Sequence, residues 1–276
     1  MAYNEVIYIE HMDKNEVCGS LLTYLSKAFD CLPHRLLITK LSAYGVSNDA
    51  CMLMANYFQG RSQRVKLGNN TSEWMSLEKG APQGSFMGPY VYNWFSNDLL
   101  LLVQKLCNIY NYADDNTVSC TGKTSSEVIK KLQDVTKVMI DWFTTNFMKA
   151  NPDKFQFILF SKEIEAQSIL LNNINVNCQS SVKLLGVHID SKLNFRGHIS
   201  CICKKAGKQI NALARLSTML NEDCRYKLFE TFILSHFNFC PVVWHFCSAE
   251  DLKQIENIQK RALKYVLTII TVLIQT

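Results

Sequence analysis

Apolar and polar positions along the chain follow two periods, and each stretch fits one of them. Residues 17–26 form a largely apolar run of strand length that leads into a helical stretch. Leu37 and Leu41, four apart after Pro33, predict a helix that opens at the proline and stops at Gly45. Ser47 is placed to cap a second helix through Met54 and Phe58, which Gly60 ends. Residues 62–67 and 73–77 read as a hairpin around Gly68-Asn69-Asn70. Ser85 is the expected N-cap of the apolar run 90–103, with Pro89 in the first turn where its missing N–H does least harm. Two short strand-like stretches follow, 107–112 and 117–120. Thr124-x-x-Glu127 is a capping box for a helix whose stripe is Val128, Leu132, Val135, Met139 and Trp142, and a strand over 155–160 comes next. From about residue 191 the pattern turns helical. Ile202, Ala206, Ile210, Leu213 and Leu220 share one helix side, and Ser248-x-x-Asp251 caps a last helix through Ile255 and Leu263.

Composition narrows this picture only a little. A chain of 276 residues holds one large domain, or a domain with a smaller appendage. Its 48% hydrophobic content and 15 Phe supply a core, and no segment has a disordered composition, a repeat or low complexity. A net charge of +5 and a pI near 8.6 are compatible with nucleic acid without singling it out. Eleven cysteines without a signal peptide point to an intracellular, reducing compartment (cytoplasm or nucleus), free thiols and no disulfide-linked partner. The sequons at 69–71 and 70–72 are then idle. Cys201-x-Cys203 and the group His236, Cys240, His245 and Cys247 lack the two-pair spacing of a structural zinc site. The second group, set among Phe237, Phe239, Trp244 and Phe246, reads as core packing. The apolar end 265–273 is too short for a bilayer, which takes about 20 residues, and reads as a frayed or frame-altered helix end rather than a membrane anchor.

Candidate chemistry gathers in a few stretches. Tyr112-Ala113-Asp114-Asp115 sets two adjacent carboxylates at a hairpin tip. Side chains alternate along a strand, so both acids face one site only where a turn re-aims one of them. Such a tip is costly unless it holds a cation, and hard divalent ions such as Mg²⁺ take carboxylate oxygens. Standing alone, Tyr-x-Asp-Asp is a weak signal, because Asp is common in turns. Gly80-Ala81-Pro82-Gln83-Gly84-Ser85 is a tight loop before a helix. A glycine there admits close approach of a ligand and exposed amides favour phosphate, although an ordinary loop-to-helix junction has the same look. Arg61, Arg64 and Lys66 fit either a nucleic-acid contact or a solvated strand face.

Taken in order, SKAFDCLPHRLL, GAPQGSFMGP, YNWFSNDL, YADDNT, WFTTNFMKANPDKFQ and LLGVHID resemble the palm of a reverse transcriptase from a non-LTR (LINE-like, jockey-type) retrotransposon. The resemblance runs on into residues 241–245 and 259–263 and covers nearly the whole chain. It implies an α+β fold: a polymerase right-hand palm, an antiparallel sheet with packed helices, over 1–190, then a helical thumb-like region over 191–276. It also implies RNA-directed DNA polymerase activity by two-metal nucleotidyl transfer, with Mg²⁺ as cofactor and an RNA template, a DNA primer and dNTP as partners. Asp114 and Asp115 would be the catalytic, metal-binding residues. Gln83 and Gly84 would line the nucleotide site, Phe29 would screen out a 2′-hydroxyl, and Lys154 would lie near the triphosphate. A core Phe and a surface-turn Lys are the plainer alternatives for the last two. Lys204, Lys208 and Arg215 sit about 200° to 240° from Ile202 on a helical wheel, where the thumb of the family meets the template–primer duplex. A solvated helix face shows the same pattern.

The departures from the family matter as much. Its motif reads Asp-Leu-Ser-Lys-Ala-Phe-Asp, and the leading Asp is a metal ligand; here that position is Tyr24. A phenol with a pKa near 10 is neutral at pH 7 and does not replace a bidentate carboxylate. Asp30, the other acid of the motif, falls past the strand. The motif starts close to Met1, so the resemblance implies a truncated copy with its fingers largely missing and without an endonuclease domain. The expectation is an impaired polymerase, or a catalytically dead remnant that only binds nucleic acid. A host-adapted interaction module is a third reading, for which the sequence offers no motif.

Overall fold

The computed structural model describes residues 14, 16–161, 167–171, 174–241, 243 and 247–267. Trp244, His245, Phe246 and the end beyond 267 lie outside these, and with them part of the aromatic group and most of the apolar tail. The chain divides into two compact units, one of Asn15–Gln179 and one containing Ser180–Thr276.

The first unit is built on a four-stranded antiparallel sheet. Its strands are β1 (Val17–Tyr24), β6 (Asn108–Tyr112), β7 (Asp115–Gly122) and β8 (Gln156–Phe160), in the order β6-β7-β1-β8. Every residue of β1 from Cys18 to Thr23 is buried, so both faces of the strand are covered, the polar Ser20 and Thr23 included. Between β1 and β6 come α1 (Ala28–Cys31), α2 (His34–Ala43) and α3 (Asn48–Phe58). After them stand four short strands, β2 (Ser62–Gln63), β3 (Lys66–Leu67), β4 (Asn70–Thr71) and β5 (Met75–Ser76), and then α4 (Met87–Val103). The hairpin expected around Gly68 is present as two nested pairs, β2 with β5 and β3 with β4. As expected, the Ser47 hydroxyl caps α3, accepting from the Ala50 amide. Helix α4 begins three residues before Tyr90. Its N-cap position is Phe86, and the Ser85 hydroxyl accepts the Gly88 amide at 3.1 Å.

Helix α5 (Ser125–Thr145) is capped by the Thr124 hydroxyl, while the Glu127 carboxylate accepts the Lys123 amide instead of closing the expected box. The Val128, Leu132 and Met139 stripe of this helix packs against β1 and β7. Gly19 is the point of closest approach: a Cβ there would meet Val128 Cγ1 at 2.6 Å and Leu159 Cδ2 at 2.9 Å. Lys40 of α2 is buried and ties two helices together. Its ammonium donates to the Phe95 carbonyl at 2.9 Å and pairs with Asp98 at 2.7 Å. The same ammonium lies 4.4 Å and 4.5 Å from the Phe95 and Trp142 ring centroids, so the charge is solvated by a carboxylate, a carbonyl and two π faces. Strands β9 (Ser168–Leu171) and β10 (Ile174–Asn177) pair at the end of the unit.

The second unit opens with the hairpin β11 (Ser181–Leu184) and β12 (Val187–Asp190) and continues into α6 (Arg196–Leu216). Asp190 fixes the turn between them by accepting the amides of Lys192, Asn194 and Phe195. Helix α6 buries Ile202, Ala206, Ile210 and Leu213 as its spacing suggests, but it stops at Leu216, so Leu220 lies beyond it. The physical reason is local: Asn221 caps a new helix, α7 (Glu222–Leu228), by accepting the Cys224 amide at 2.9 Å. A π-helical segment (Phe229–Leu234), α8 (Ser235–Asn238) and α9 (Ala249–Val266) complete the unit, and Ser248 with Asp251 forms the capping box read from the sequence.

Candidate active site

The two adjacent acids stand at the β6–β7 junction. Tyr112 pairs with Asp115, which leaves Ala113 and Asp114 as a two-residue loop, and Ala113 adopts φ 51. A non-glycine residue in that left-handed region is uncommon, and here it turns the chain tightly enough to hold successive carboxylates at one tip. Asn116, buried just behind, donates its amide to the Asp114 carbonyl at 3.3 Å.

On its other edge β7 pairs with β1, and the register sets Tyr24 opposite Asp115. Directly opposed residues share a sheet face. The position that carries the first Asp of the family motif therefore does lie beside the acidic tip, and a phenol occupies it. Burial raises the Tyr24 pKa, and the charges of Asp115 and Asp114 raise it further against a lowering by Gln156. The Gln156 amide donates to the Tyr24 hydroxyl at 3.3 Å. Tyr24 is thus a neutral phenol at physiological pH. Asp115 is also raised, first by burial and then by Asp114, and Lys154 opposes the rise. Lys154 ends a short 3₁₀ turn (Pro152–Lys154) whose approach is fixed by hydrogen bonds from Asn151 to the Tyr24 carbonyl and from Ser26 to the Lys149 carbonyl.

A second cluster joins α1 to the loop before α4. Gly80, at φ 86, lies so close to α1 that a Cβ would meet the Asp30 carbonyl at 2.9 Å. The Ala81 amide donates to the Phe29 carbonyl at 2.8 Å, and the Gln83 side chain donates to Asp30 Oδ1 at 3.0 Å. Asp30 is therefore a partner of Gln83. Gly84, at φ 79, has open space where a Cβ would stand. The half-buried Phe29 packs on Tyr92 of α4, with ring centroids 4.9 Å apart. Burial raises the Tyr92 pKa, and Asp114 and Asp115 add to it, so this phenol lies within the field of the acidic tip. Sequence reasoning missed Tyr92. No spacing rule brings a residue of the helix after the glycine loop to both the aromatic of one motif and the acids of another.

The donor set decides what cation the tip could hold. Two adjacent carboxylates, one of them disfavoured by its neighbour, invite a cation. A pair of Mg²⁺ ions needs bridging oxygens in near-octahedral geometry, and the third donor here is a neutral phenol already engaged with Gln156. Among the described residues no three His, Cys, Asp or Glu side chains gather to hold a metal ion. The residues present do not fit a two-metal site.

Lys204, Lys208 and Arg215 are exposed on α6 in the second unit. Lys204 and Lys208 line a groove of about 320 Å³ with Arg261 of α9, which donates to the Gly207 carbonyl and to Asn211. Asn211 and Gln254 are its other polar walls, and no acid lines it. Among the described residues no helix is long and apolar enough to cross a membrane.

A family model described as reverse transcriptase (RNA-dependent DNA polymerase) matches residues 9–189. The RNA-directed DNA polymerase from mobile element jockey of Drosophila funebris is 24% identical over 93% of this chain and 29% of its own length. The probable RNA-directed DNA polymerase from transposon BS of Drosophila melanogaster is 22% identical over 93% of the chain and 30% of its own length. The chain thus spans less than a third of these relatives. A Candida albicans telomerase in complex with a fragment of telomeric RNA aligns over 97% of this chain and 48% of its own, with 11% identity and a TM-score of 0.49. The match of the family model over most of the chain, with the Asp pair and the glycine loop inside it, shows that this chain belongs to the reverse transcriptase (RNA-dependent DNA polymerase) family.

Proposed function

We propose that this chain is a reverse-transcriptase palm, residues 1–190, with a thumb-like helical region, residues 191–276, in which RNA-directed DNA synthesis is impaired by Tyr24. One observation carries the reading: Tyr24 pairs with Asp115 across β1 and β7, where a third carboxylate would complete a divalent-cation site. In this reading Asp114 and Asp115 are what remains of a Mg²⁺ site for two-metal nucleotidyl transfer. Phe29, Gln83, Gly84 and Lys154 frame a dNTP site whose loop is already hydrogen-bonded into place. Lys204, Lys208 and Arg215 contact the phosphates of an RNA template and DNA primer without reading sequence, and their exposure along one helix supports that role. Eleven free cysteines suit a reducing interior, cytoplasm or nucleus.

The test is primer extension on an RNA template with Mg²⁺ or Mn²⁺, run for the unaltered chain and for Tyr24→Asp, with retention of the labelled primer–template measured alongside. The unaltered chain is expected to retain the duplex without extending it. Tyr24→Asp is expected to extend at least about 100-fold faster, since a restored metal ligand supplies on the order of 2.7 kcal/mol of transition-state stabilisation. Extension by the unaltered chain at the rate of the variant would overturn the reading.

A further inference from the structure

A cavity of about 650 Å³ lies in the first unit between α2, α3 and residues 77–79, and none of the acidic tip, Phe29, Gln83, Gly84 or Lys154 lines it. Its volume is within the range of small-molecule sites, about 300–1,000 Å³. Its chemistry has three parts. The His34 and Phe58 rings stack at 4.2 Å with 21° between planes; Phe58 is buried, and His34 is half-buried and lines the cavity. The ring of His34 is held in orientation by its Nε2, 2.7 Å from the Gly80 carbonyl. The pair is therefore a preformed platform for a flat ring. Arg35 and Lys79 line the cavity and are exposed to solvent, with their cations available to a ligand. Gln59 and Glu78 add an amide donor and two acceptor groups to the lining.

We propose that this cavity is a binding site for a nucleoside phosphate, separate from the carboxylate site. The base stacks on His34, the sugar hydroxyls meet Glu78 and Gln59, and the phosphate sits between Arg35 and Lys79. An apolar ligand would leave two cations idle, and free phosphate would leave the aromatic platform uncovered, so one molecule carrying both groups accounts for the lining best. Because His34 is bonded to Gly80, an occupant leans on the loop that carries Gln83 and Gly84.

Calorimetric titration of the full chain with AMP tests this, with adenosine and inorganic phosphate as separate probes. AMP is expected to bind saturably at one site, and each half-ligand at least about tenfold more weakly. The double variant Arg35→Ala with Lys79→Ala removes only exposed side chains and is expected to weaken AMP about tenfold or more, with an unchanged thermal melt. Asp114→Asn is expected to leave AMP binding as it was. Failure of AMP to bind, equal binding by the double variant, or loss of binding in Asp114→Asn would each overturn the assignment. None of these results bears on Tyr24, whose reading stands or falls on primer extension.

Discussion

At the residue scale, Tyr24 is the position on which the proposed impairment rests, and its departure from the family motif was legible in the sequence alone. What the motif could not give was its neighbour: only the β1–β7 register makes the phenol face Asp115 rather than solvent. The electrostatics of Asp115 follow from that setting. Burial and Asp114 lift its pKa above the unfolded value, so its ionisation opposes folding. The sign is that of any raised acid: the stabilising contribution is complete below the ordinary carboxylate pKa and is lost as pH rises through the folded one. Asp115→Asn removes that loss. At neutral pH it is expected to raise the thermal midpoint, by about 2–4 °C for each kcal/mol relieved in a chain of this size. A lower midpoint would show that Lys154 more than compensates the acid pair. Tyr92 was not legible at this scale, because its ring contact with Phe29 and its place in the field of the acids depend on how α4 docks rather than on any local pattern.

At the scale of elements, caps and stripes were read correctly where a short-range rule governs them. The Ser47, Thr124 and Ser248 caps and the buried stripe of α5 are examples. The end of α6 was misread because apolar spacing continues to Leu220, while the Asn221 cap, which starts a new helix, competes with it and wins. Strand β1 shows the other limit of local reading. Its burial through six successive residues is a property of the central place it takes in the sheet. Gly19 is the tightest point of that arrangement, since a methyl there has no room between Val128 and Leu159. Gly19→Ala is expected to destabilise the chain by about 1–3 kcal/mol, as overpacking of a filled core does, measured by urea unfolding. An unchanged urea midpoint would mean that α5 is free to shift away from the sheet.

At the scale of the molecule, the chain is two compact units, each with its own buried core. The second is expected to be acid-sensitive through one buried histidine. His198 of α6 is buried and accepts the His188 amide at 3.3 Å. Burial, then His188 and Lys205, lowers its pKa from 6.5 to about 4. The unfolded chain therefore binds the proton more readily between those values, and the stability held above pH 6.5 is lost as pH falls toward 4. Urea midpoints are expected to drop between pH 7 and pH 4.5, and His198→Phe is expected to flatten that slope. An equal slope in both forms would assign the acid sensitivity to other groups.

The central claim is that one phenol, set opposite Asp115, deprives the acidic tip of a cation ligand. Titration with Mn²⁺, followed by the loss of the free-ion electron paramagnetic resonance signal, tests it most directly for the unaltered chain and Tyr24→Asp. The variant is expected to bind Mn²⁺ at least about tenfold more tightly, one added carboxylate being worth on the order of 1.4 kcal/mol or more. That gain should vanish when Asp115→Asn is added. Superimposable titration curves for the unaltered chain and Tyr24→Asp would contradict it.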